Sequence, residues 1–581
     1  MSHDGLVSRC VSGHYARAHL WGNRRLNTGI QTDITRVLRD AHDARHRALI
    51  VLSGSRVWCR NAASAVISVC ADFVWIGGVD GLAASSIQAS KARQLLGSEY
   101  AVAVLDTHDG LHPDALAAVC GTVVAGGALI LLTPPWQQWS GLSDPDYERL
   151  ASYPHDWREL PQRFISHVQK SLEIAAQQTG CLHLHESDYP VIPVSSLPWP
   201  VLPSSVSVNK PSTEQKYCLA QLATHAGVSV LLAGRGHGKS AFLGFAARQY
   251  LTQGQTVLLV APSRAAAASV FRHAGSELPF SAPDMLLQDE SVTADILLID
   301  EAAAISQPML LALLQRFRRV VFATTTDGYE GTGQGFVLRF LRALNERYPD
   351  WQQLNLDAPV RWAANDPLEN WLYRALLLDA QEPVIQDDID LSAVVFERVE
   401  QSIIAENAVF LKDIYGLLRS AHYRTTPDDL RFLLDAPQLS LYRLAYEAQT
   451  IAVALIVEEG SIDEAMSIEI AAGRRRPRGH LLVQTLAVHN HQPQYLQQRV
   501  ARVVRIAVHT QYQQRGLGSQ LLQKIIEDQK KNGVKIIGSS FSAAPDVLAF
   551  WQRNGFDLLR VGHRRQAASA APSALVLREE E

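Results

Sequence analysis

The sequence predicts a multidomain α/β protein, on three observations. Its 581 residues exceed what one hydrophobic core can serve. Short apolar runs alternate with helix-like polar segments through the first part of the chain. Two glycine-rich loops, AGRGHGKS at 233–240 and QQRGLGS at 513–519, each follow an apolar run and open into a helix-like segment. The expected layout is an N-terminal parallel α/β module over 1–190, a Pro/Ser-rich linker over 191–212, a nucleotide-binding domain over 213–390 and a second loop-bearing domain over 391–581.

In the N-terminal module the apolar runs fall at 48–53, 71–77, 100–105 and 128–133, the spacing of parallel strands with helices on both faces. Asp106 and Asp109 follow one of them, where open α/β sheets gather ligands and where ordinary turns also use Asp. The composition, 47% hydrophobic and 19% charged, is that of a globular protein. A net charge of −4 argues against holding nucleic acid through overall charge but leaves room for local basic patches. Six cysteines (Cys10, Cys59, Cys70, Cys120, Cys181, Cys218) without a CxxC pair indicate reduced thiols rather than a zinc knuckle or disulfide framework. The N-terminus lacks a signal-peptide core, and the longest apolar run, 122–132, falls short of the ~20 residues that cross a bilayer. A cytoplasmic protein without membrane association is expected, and no obligate protein partner is evident.

The first loop predicts a site for ATP. Gly236 and Gly238 let backbone amides of the GHGKSA stretch, including His237 and Ala241, turn toward phosphate oxygens; Lys239 reaches the β and γ phosphates and Ser240 ligates Mg2+. Ala233 stands where the usual pattern has glycine, so the loop is a variant. Downstream, the apolar run 296–299 ends in Asp300 and Glu301, the order in which an Asp holds the magnesium shell and a Glu polarises the attacking water. Thr324, Thr325 and Thr326 are placed to sense the γ phosphate. Gln215 is a candidate for the adenine edge or a solvated surface residue, and Arg361 a phosphate-facing charge or a structural ion pair. Only one such nucleotide core is present, so a single RecA-like P-loop ATPase domain is expected rather than a two-lobed helicase.

The second loop, Gln513, Gln514, Arg515, Gly516, Leu517, Gly518 and Ser519, fits the pattern in which small residues bring amides and a helix N-terminus onto the pyrophosphate of acetyl-CoA. With RIAVH before it and DVLAFWQRNGF after it, this segment resembles the GCN5-related N-acetyltransferases. That resemblance implies backbone contacts from Ile506, Ala507 and Val508 to the acetyl and pantetheine groups, and later contacts from Asp546 and Arg553. It also implies direct transfer from the thioester to an amine, with His509 as candidate base or else a structural histidine.

GRGHGKSA, LLIDEAAAI, ATTTDGYEGTGQGF, APVRWA, RRRPRGHLL and RIAVHTQYQQRGLGS, in this order, resemble the bacterial tRNA(Met) cytidine acetyltransferase family, TmcA, over nearly the whole chain. The resemblance implies acetyl-CoA- and ATP-dependent formation of N4-acetylcytidine at the wobble position of elongator tRNA(Met). ATP would remodel the RNA rather than activate acetate, since extruding a stacked base costs a few kcal/mol. Arg474, Arg475, Arg476 and Arg478 are then candidate tRNA phosphate contacts, or a solvated loop. Trp362 and Tyr329 are candidate base-stacking aromatics, or buried ones. The resemblance implies a C-terminal RNA-binding tail in members of the family, most of which this chain is expected to lack. Two alternatives stand beside this reading: a protein lysine N-acyltransferase, and an RNA-remodelling ATPase whose acetyltransferase domain senses cofactor.

Overall fold

The computed structural model describes residues 28–68, 70, 72–78, 86–189, 210–275, 278–325, 334–385, 389–421, 425–565 and 572–580. Cys10, Thr326, Tyr329 and most of the linker and of the DGYEGTGQGF motif lie outside the described residues. Three sheets succeed one another along the chain. The first contains β1 (Ala48–Ser53), β2 (Phe73–Ile76), β3 (Ser86–Ile87), β4 (Tyr100–Asp106), β5 (Val123–Thr133) and β6 (Cys181–His185), all parallel, in the order β3-β2-β4-β5-β1-β6. Every residue of β1 is buried, as a strand covered on both faces requires.

The second sheet is also parallel: β7 (Val228–Ala233), β8 (Val257–Val260), β9 (Phe280–Ser281), β10 (Ile296–Ile299), β11 (Val320–Thr325) and β12 (Gln352–Leu356), in the order β12-β7-β11-β10-β8-β9. β11 thus lies between the strand that feeds the first glycine loop and the strand that ends at Asp300. That order puts Thr324 and Thr325 between the two halves of the candidate ATP site.

The third sheet holds β13 (Val395–Val399), β14 (Leu439–Tyr446), β15 (Gln449–Gly460), β16 (Arg499–Val508), β17 (Ile536–Ser542), β18 (Asp557–Arg565) and β19 (Pro572–Glu579), in the order β13-β14-β15-β16-β17-β19-β18. All its pairs are antiparallel except β16 with β17. The fold is therefore a multidomain α/β arrangement, with two parallel sheets followed by a mixed one. No described helix is long and apolar enough to cross a membrane, and the five described cysteines are free thiols.

The largest apolar core crosses the boundaries between sheets. It joins Leu49, Leu131 and Phe164 of the first unit to Trp371 and Leu372 of helix Pro367–Leu376. It continues through helices Ala408–Ala421 and Pro427–Asp435 to Leu455 and Ala507 of the third sheet. The first and third sheets thus share one close-packed interior. Buried charges reinforce the junctions. Arg47, just before β1, binds Asp366 through its backbone N at 2.7 Å and its guanidinium at 2.8 and 3.1 Å, with both side chains sealed from solvent. Arg431 reaches Asp146 at 2.5 Å, and the Tyr147 hydroxyl donates to Asp435 at 2.5 Å.

Candidate active sites

Both glycine loops end in the same device: a glycine in the left-handed region followed by a helix whose first turn no side chain caps. At the first loop Gly238 has φ +84° and precedes helix Lys239–Thr252; at the second Gly516 has φ +83° and precedes helix Leu517–Lys531. Uncapped first-turn N–H groups and the helix dipole together favour an anion. Two such termini in one chain are two candidate phosphate cradles.

At the first cradle Lys239 Nζ lies 2.6 Å from Glu301 Oε1. Burial works against the Lys239 charge, but Glu301 and Asp300 outweigh it and hold the ammonium above its ordinary value. Asp300 is completely buried; burial first, then the Glu301 charge, raises its carboxyl, with Lys239 and the Ser240 hydroxyl offsetting part of the rise. Its Oδ1 accepts the Glu301 N–H at 3.0 Å, while its Oδ2 and the neighbouring Thr324 hydroxyl have no hydrogen-bond partner among the described residues. A buried carboxylate oxygen left open beside a serine hydroxyl is the donor set a hard divalent cation takes, so the residues present fit Mg2+. Glu301 itself sits at φ +51°, an uncommon conformation for a side chain of its kind, with the Thr325 hydroxyl 3.5 Å from its Oε2. A cavity of about 270 Å³ adjoins the loop, lined by Gly234, His237, Asn355, Asp357 and Tyr373 among others.

Two residues expected at ATP are placed differently. Gln215 is buried, with its Oε1 accepting the Ser212 N–H at 2.9 Å in a capping box and its Nε2 donating to Gly238 O at 2.9 Å. Its amide supports the loop from beneath instead of presenting an edge to a base. Arg361 donates its backbone N–H to Gly236 O, but its guanidinium turns to Glu99 at 3.4 Å and the Gly121 carbonyl, in the first unit. Trp362, expected as a possible stacking platform, is 1% exposed and packs under the loop. Asp106 is likewise spent internally, paired with Arg60 at 2.9 Å and His108 at 2.8 Å, and Asp109 pairs with Arg56.

At the second cradle the geometry lies in what β16 leaves unpaired. β16 runs to Val508 yet pairs with β17 only from Val500 to Val503, while β17 continues along β19 to Ser542. The two strands therefore part after Val503, opening a gap whose mouth is the 513–519 loop. Against β15 the register skips Val504, a bulge of the kind that re-aims a strand beside a site. The His509 N–H donates to Ile451 O at 2.8 Å, so strand alternation turns the backbone of Ala507 toward β15 and that of Ile506 and Val508 toward the gap. Of the three backbone contacts expected, Ile506 and Val508 face the space and Ala507 does not.

Gln513 Nε2 donates to Val508 O at 3.1 Å, tying the loop to the strand end. A Cβ on Gly518 would stand 3.4 Å from Phe550 and 3.5 Å from Val508, in ordinary contact, so the loop lies directly against the end of β16 and the Phe550 ring. Phe550 belongs to helix Pro545–Arg553, which carries Asp546 and Arg553 exposed at its two ends. Gln514 and Arg515 are exposed, Ser519 partly so, and Leu517 is buried as the helix's first core residue.

His509, the candidate base or structural histidine, is buried and contacted at both ring nitrogens. Its Nδ1 accepts the Gln511 N–H at 3.3 Å, and its Nε2 lies 2.9 Å from Pro383 O and 3.6 Å from Glu382 Oε2, so both ring nitrogens face partners inside the protein. His509→Phe is expected to lower stability by about 1–3 kcal/mol by orphaning these partners while leaving the shape of the acetylation pH profile unchanged. A lost limb of the profile in that variant would make His509 the base.

The arginine loop divides. Arg474 pairs with Glu469 at 2.7 Å and Arg478 binds the Glu148 carbonyl, whereas Arg475 and Arg476 are exposed with no ion pair within 4 Å among the described residues. The strand gap, the Glu301 conformation and the Trp362 support were not foreseen; each depends on long-range partners, and no local pattern in the sequence signals it.

Comparison with known proteins follows the same order along the chain. Residues 27–180 match the family model of the tRNA(Met) cytidine acetyltransferase TmcA N-terminal region, and 230–379 that of the RNA cytidine acetyltransferase NAT10/TcmA helicase domain. Residues 413–528 match GNAT acetyltransferase 2, and 491–568 the acetyltransferase (GNAT) domain. Among full-length relatives, the tRNA(Met) cytidine acetyltransferase TmcA of Nitrosococcus halophilus is 37% identical, over 92% of this chain and 75% of its own length. That of Haloferax volcanii is 31% identical over 93% and 77%. Among solved structures, the ribosomal-protein-S18-alanine N-acetyltransferase of Escherichia coli overlaps 32% of this chain and 93% of its own, at 14% identity and a TM-score of 0.22.

Proposed function

The chain belongs to the tRNA(Met) cytidine acetyltransferase family, TmcA, and on that premise we propose that it transfers acetyl from acetyl-CoA to N4 of the wobble cytidine of elongator tRNA(Met), at the expense of ATP. The observation that carries the acyl-transfer half is the gap between β16 and β17 beside an uncapped helix N-terminus. The pyrophosphate of acetyl-CoA would rest on the amides of Gly516 to Ser519 and its pantetheine along the free edge of β16 at Ile506 and Val508, with Asp546 and Arg553 at the rim. N4 would attack the thioester carbonyl, forming the C–N bond as the C–S bond breaks, and the proton lost from N4 would pass to the departing CoA sulfur, so that free CoA thiol leaves. A backbone N–H on the open edge of β16 is the group available to the oxyanion.

ATP would occupy the first cradle, its phosphates on Gly236 to Ala241 and Lys239, its nucleoside in the adjoining cavity. Asp300 and Ser240 would hold Mg2+, which supplies charge neutralisation at the phosphates. Glu301 would orient the attacking water once phosphate draws Lys239 away from it. Gln215 and Arg361 serve this site through the loop backbone in the present conformation. The work done is extrusion of the cytosine, a cost of a few kcal/mol, in a cytoplasmic reaction. The proposed division of the chain is that stated above: 1–190, 213–390 and 391–581.

Incubation with labelled acetyl-CoA, ATP and total tRNA, followed by nucleoside analysis, tests this directly: N4-acetylcytidine is expected, and its absence with folded protein would defeat the proposal. Arg475 and Arg476 are the arginines free to meet phosphate. Alanine at both is expected to raise KM for tRNA and lower the salt dependence of binding by about one unit of slope per residue, with affinity for acetyl-CoA unchanged. An unaltered slope would make them solvated bystanders.

A further inference from the structure

The first cradle rests on a tryptophan that reports to the N-terminal module. Gly236 O accepts two backbone N–H groups, from Val360 at 2.9 Å and Arg361 at 3.1 Å, and a Cβ on Gly236 would stand 2.7 Å from the Trp362 ring. The Arg47 guanidinium covers that ring at 3.4 Å, and Trp362 Nε1 donates to Glu369 at 3.0 Å. Residues on either side of Arg47 grip the same segment: Ala363 N–H donates to Arg45 O at 2.9 Å, and His46 Nε2 lies 2.9 Å from Ala364 O. Asp366, which takes Arg47, also caps helix Pro367–Leu376 by accepting the Glu369 N–H at 2.8 Å.

At its other side the N-terminal module is bolted to the acetyltransferase. Asp435 accepts from Arg163 N, Phe164 N and Tyr147, and Asp146 holds the buried Arg431. The helix that carries Arg431 and Asp435 also carries Asp429, which binds Arg505 of β16 at 2.5 Å, one residue before Ile506 at the gap. Arg47, Trp362, Asp366, Arg431 and Asp435 are buried along this chain of contacts, with Arg45 and Ala364 at its exposed margin, and helix Pro367–Leu376 shares its core with Ala507.

We infer that the N-terminal module is the transmission between the two cradles, with Trp362 and Arg47 as positioning residues that pass movement of Gly236 on phosphate binding to β1, helix Pro367–Leu376 and the open edge of β16. This rests on the two cradles binding ATP and acetyl-CoA as proposed above. A ligand shifts such a network only if it binds the two loop states differently, and the coupling is then reciprocal between the sites.

The test needs no RNA, so its failure is separate from any failure of the acetylcytidine reading. The dissociation constant of acetyl-CoA is measured by calorimetry on the full chain with and without a saturating non-hydrolysable ATP analogue and Mg2+. Wild-type protein is expected to bind acetyl-CoA at least about fivefold more tightly with the analogue, Trp362→Phe to keep that ratio, and Trp362→Leu to bring it within twofold of unity. A residue with only a structural role would lower the melting temperature and leave the ratio intact. Should Trp362→Leu fail to fold, Arg47→Lys, which keeps the charge but loses the planar fork and the stacking, is read on the same ratio. Absence of coupling in the wild type, or undiminished coupling in these variants, overturns the inference.

Discussion

With Lys239 replaced by alanine, ATP hydrolysis falls by about 10²–10³-fold and N4-acetylcytidine formation falls with it, while acetyl-CoA still binds. The size of the effect follows from the surroundings. Lys239 pairs with Glu301 and offsets the rise at Asp300, while Arg361, the other cation expected at phosphate, directs its guanidinium at Glu99. Removing the ammonium leaves two adjacent carboxylates, one wholly buried, with less counter-charge at the point where triphosphate must arrive. Phosphate binding and water activation are lost together, because the same ammonium that would meet the β and γ phosphates restrains Glu301 in their absence. Phosphate release and nucleoside mass spectrometry on the same samples read both losses. Full acetyl transfer without Lys239 would separate the two cradles functionally and favour an ATP-independent acceptor such as a protein lysine.

What the sequence disclosed was whatever depends on neighbours along the chain. The apolar run at 48–53 coincides with β1, and 296–299 with β10, ending at Asp300 as expected. Both glycine loops sit between strand and helix because the left-handed turn and the uncapped helix start are local properties of Gly238 and Gly516. Partners distant in sequence were not disclosed. The run at 71–77 shortens to Phe73–Ile76, and the two-residue strands β3 and β9 exist only by pairing with β2 and β8. His509 carries the same letters whether it faces a substrate or the Pro383 carbonyl, 126 residues away. Nor does any local feature of Trp362 say that its ring lies under one glycine and over an arginine of another unit.

Gly516→Val is expected to remove acetyl transfer while sparing ATP hydrolysis. Gly516 holds φ +83°, and a β-branched residue there costs on the order of 1–3 kcal/mol in backbone strain. A Cβ at this position meets no protein atom within 4 Å, so steric conflict inside the protein is not the cause. What a side chain would enter is the space in front of the free N–H groups of Leu517 to Ser519, where pyrophosphate would rest. Loss of two charge-assisted hydrogen bonds, about 1.5–3 kcal/mol each, corresponds to a rise in acetyl-CoA Kd of at least ~10²-fold. Gly516→Ala, adding one carbon in open space, should weaken binding by an order of magnitude at most, so the two variants give a graded series that a general loss of folding would not. The ATPase cradle keeps its own residues in both variants, and hydrolysis without acetyl-CoA should stay near wild type. If Gly516→Val bound acetyl-CoA normally, the cofactor would have to enter elsewhere than the gap between β16 and β17, and the acyl-transfer half of the function would lose its structural footing.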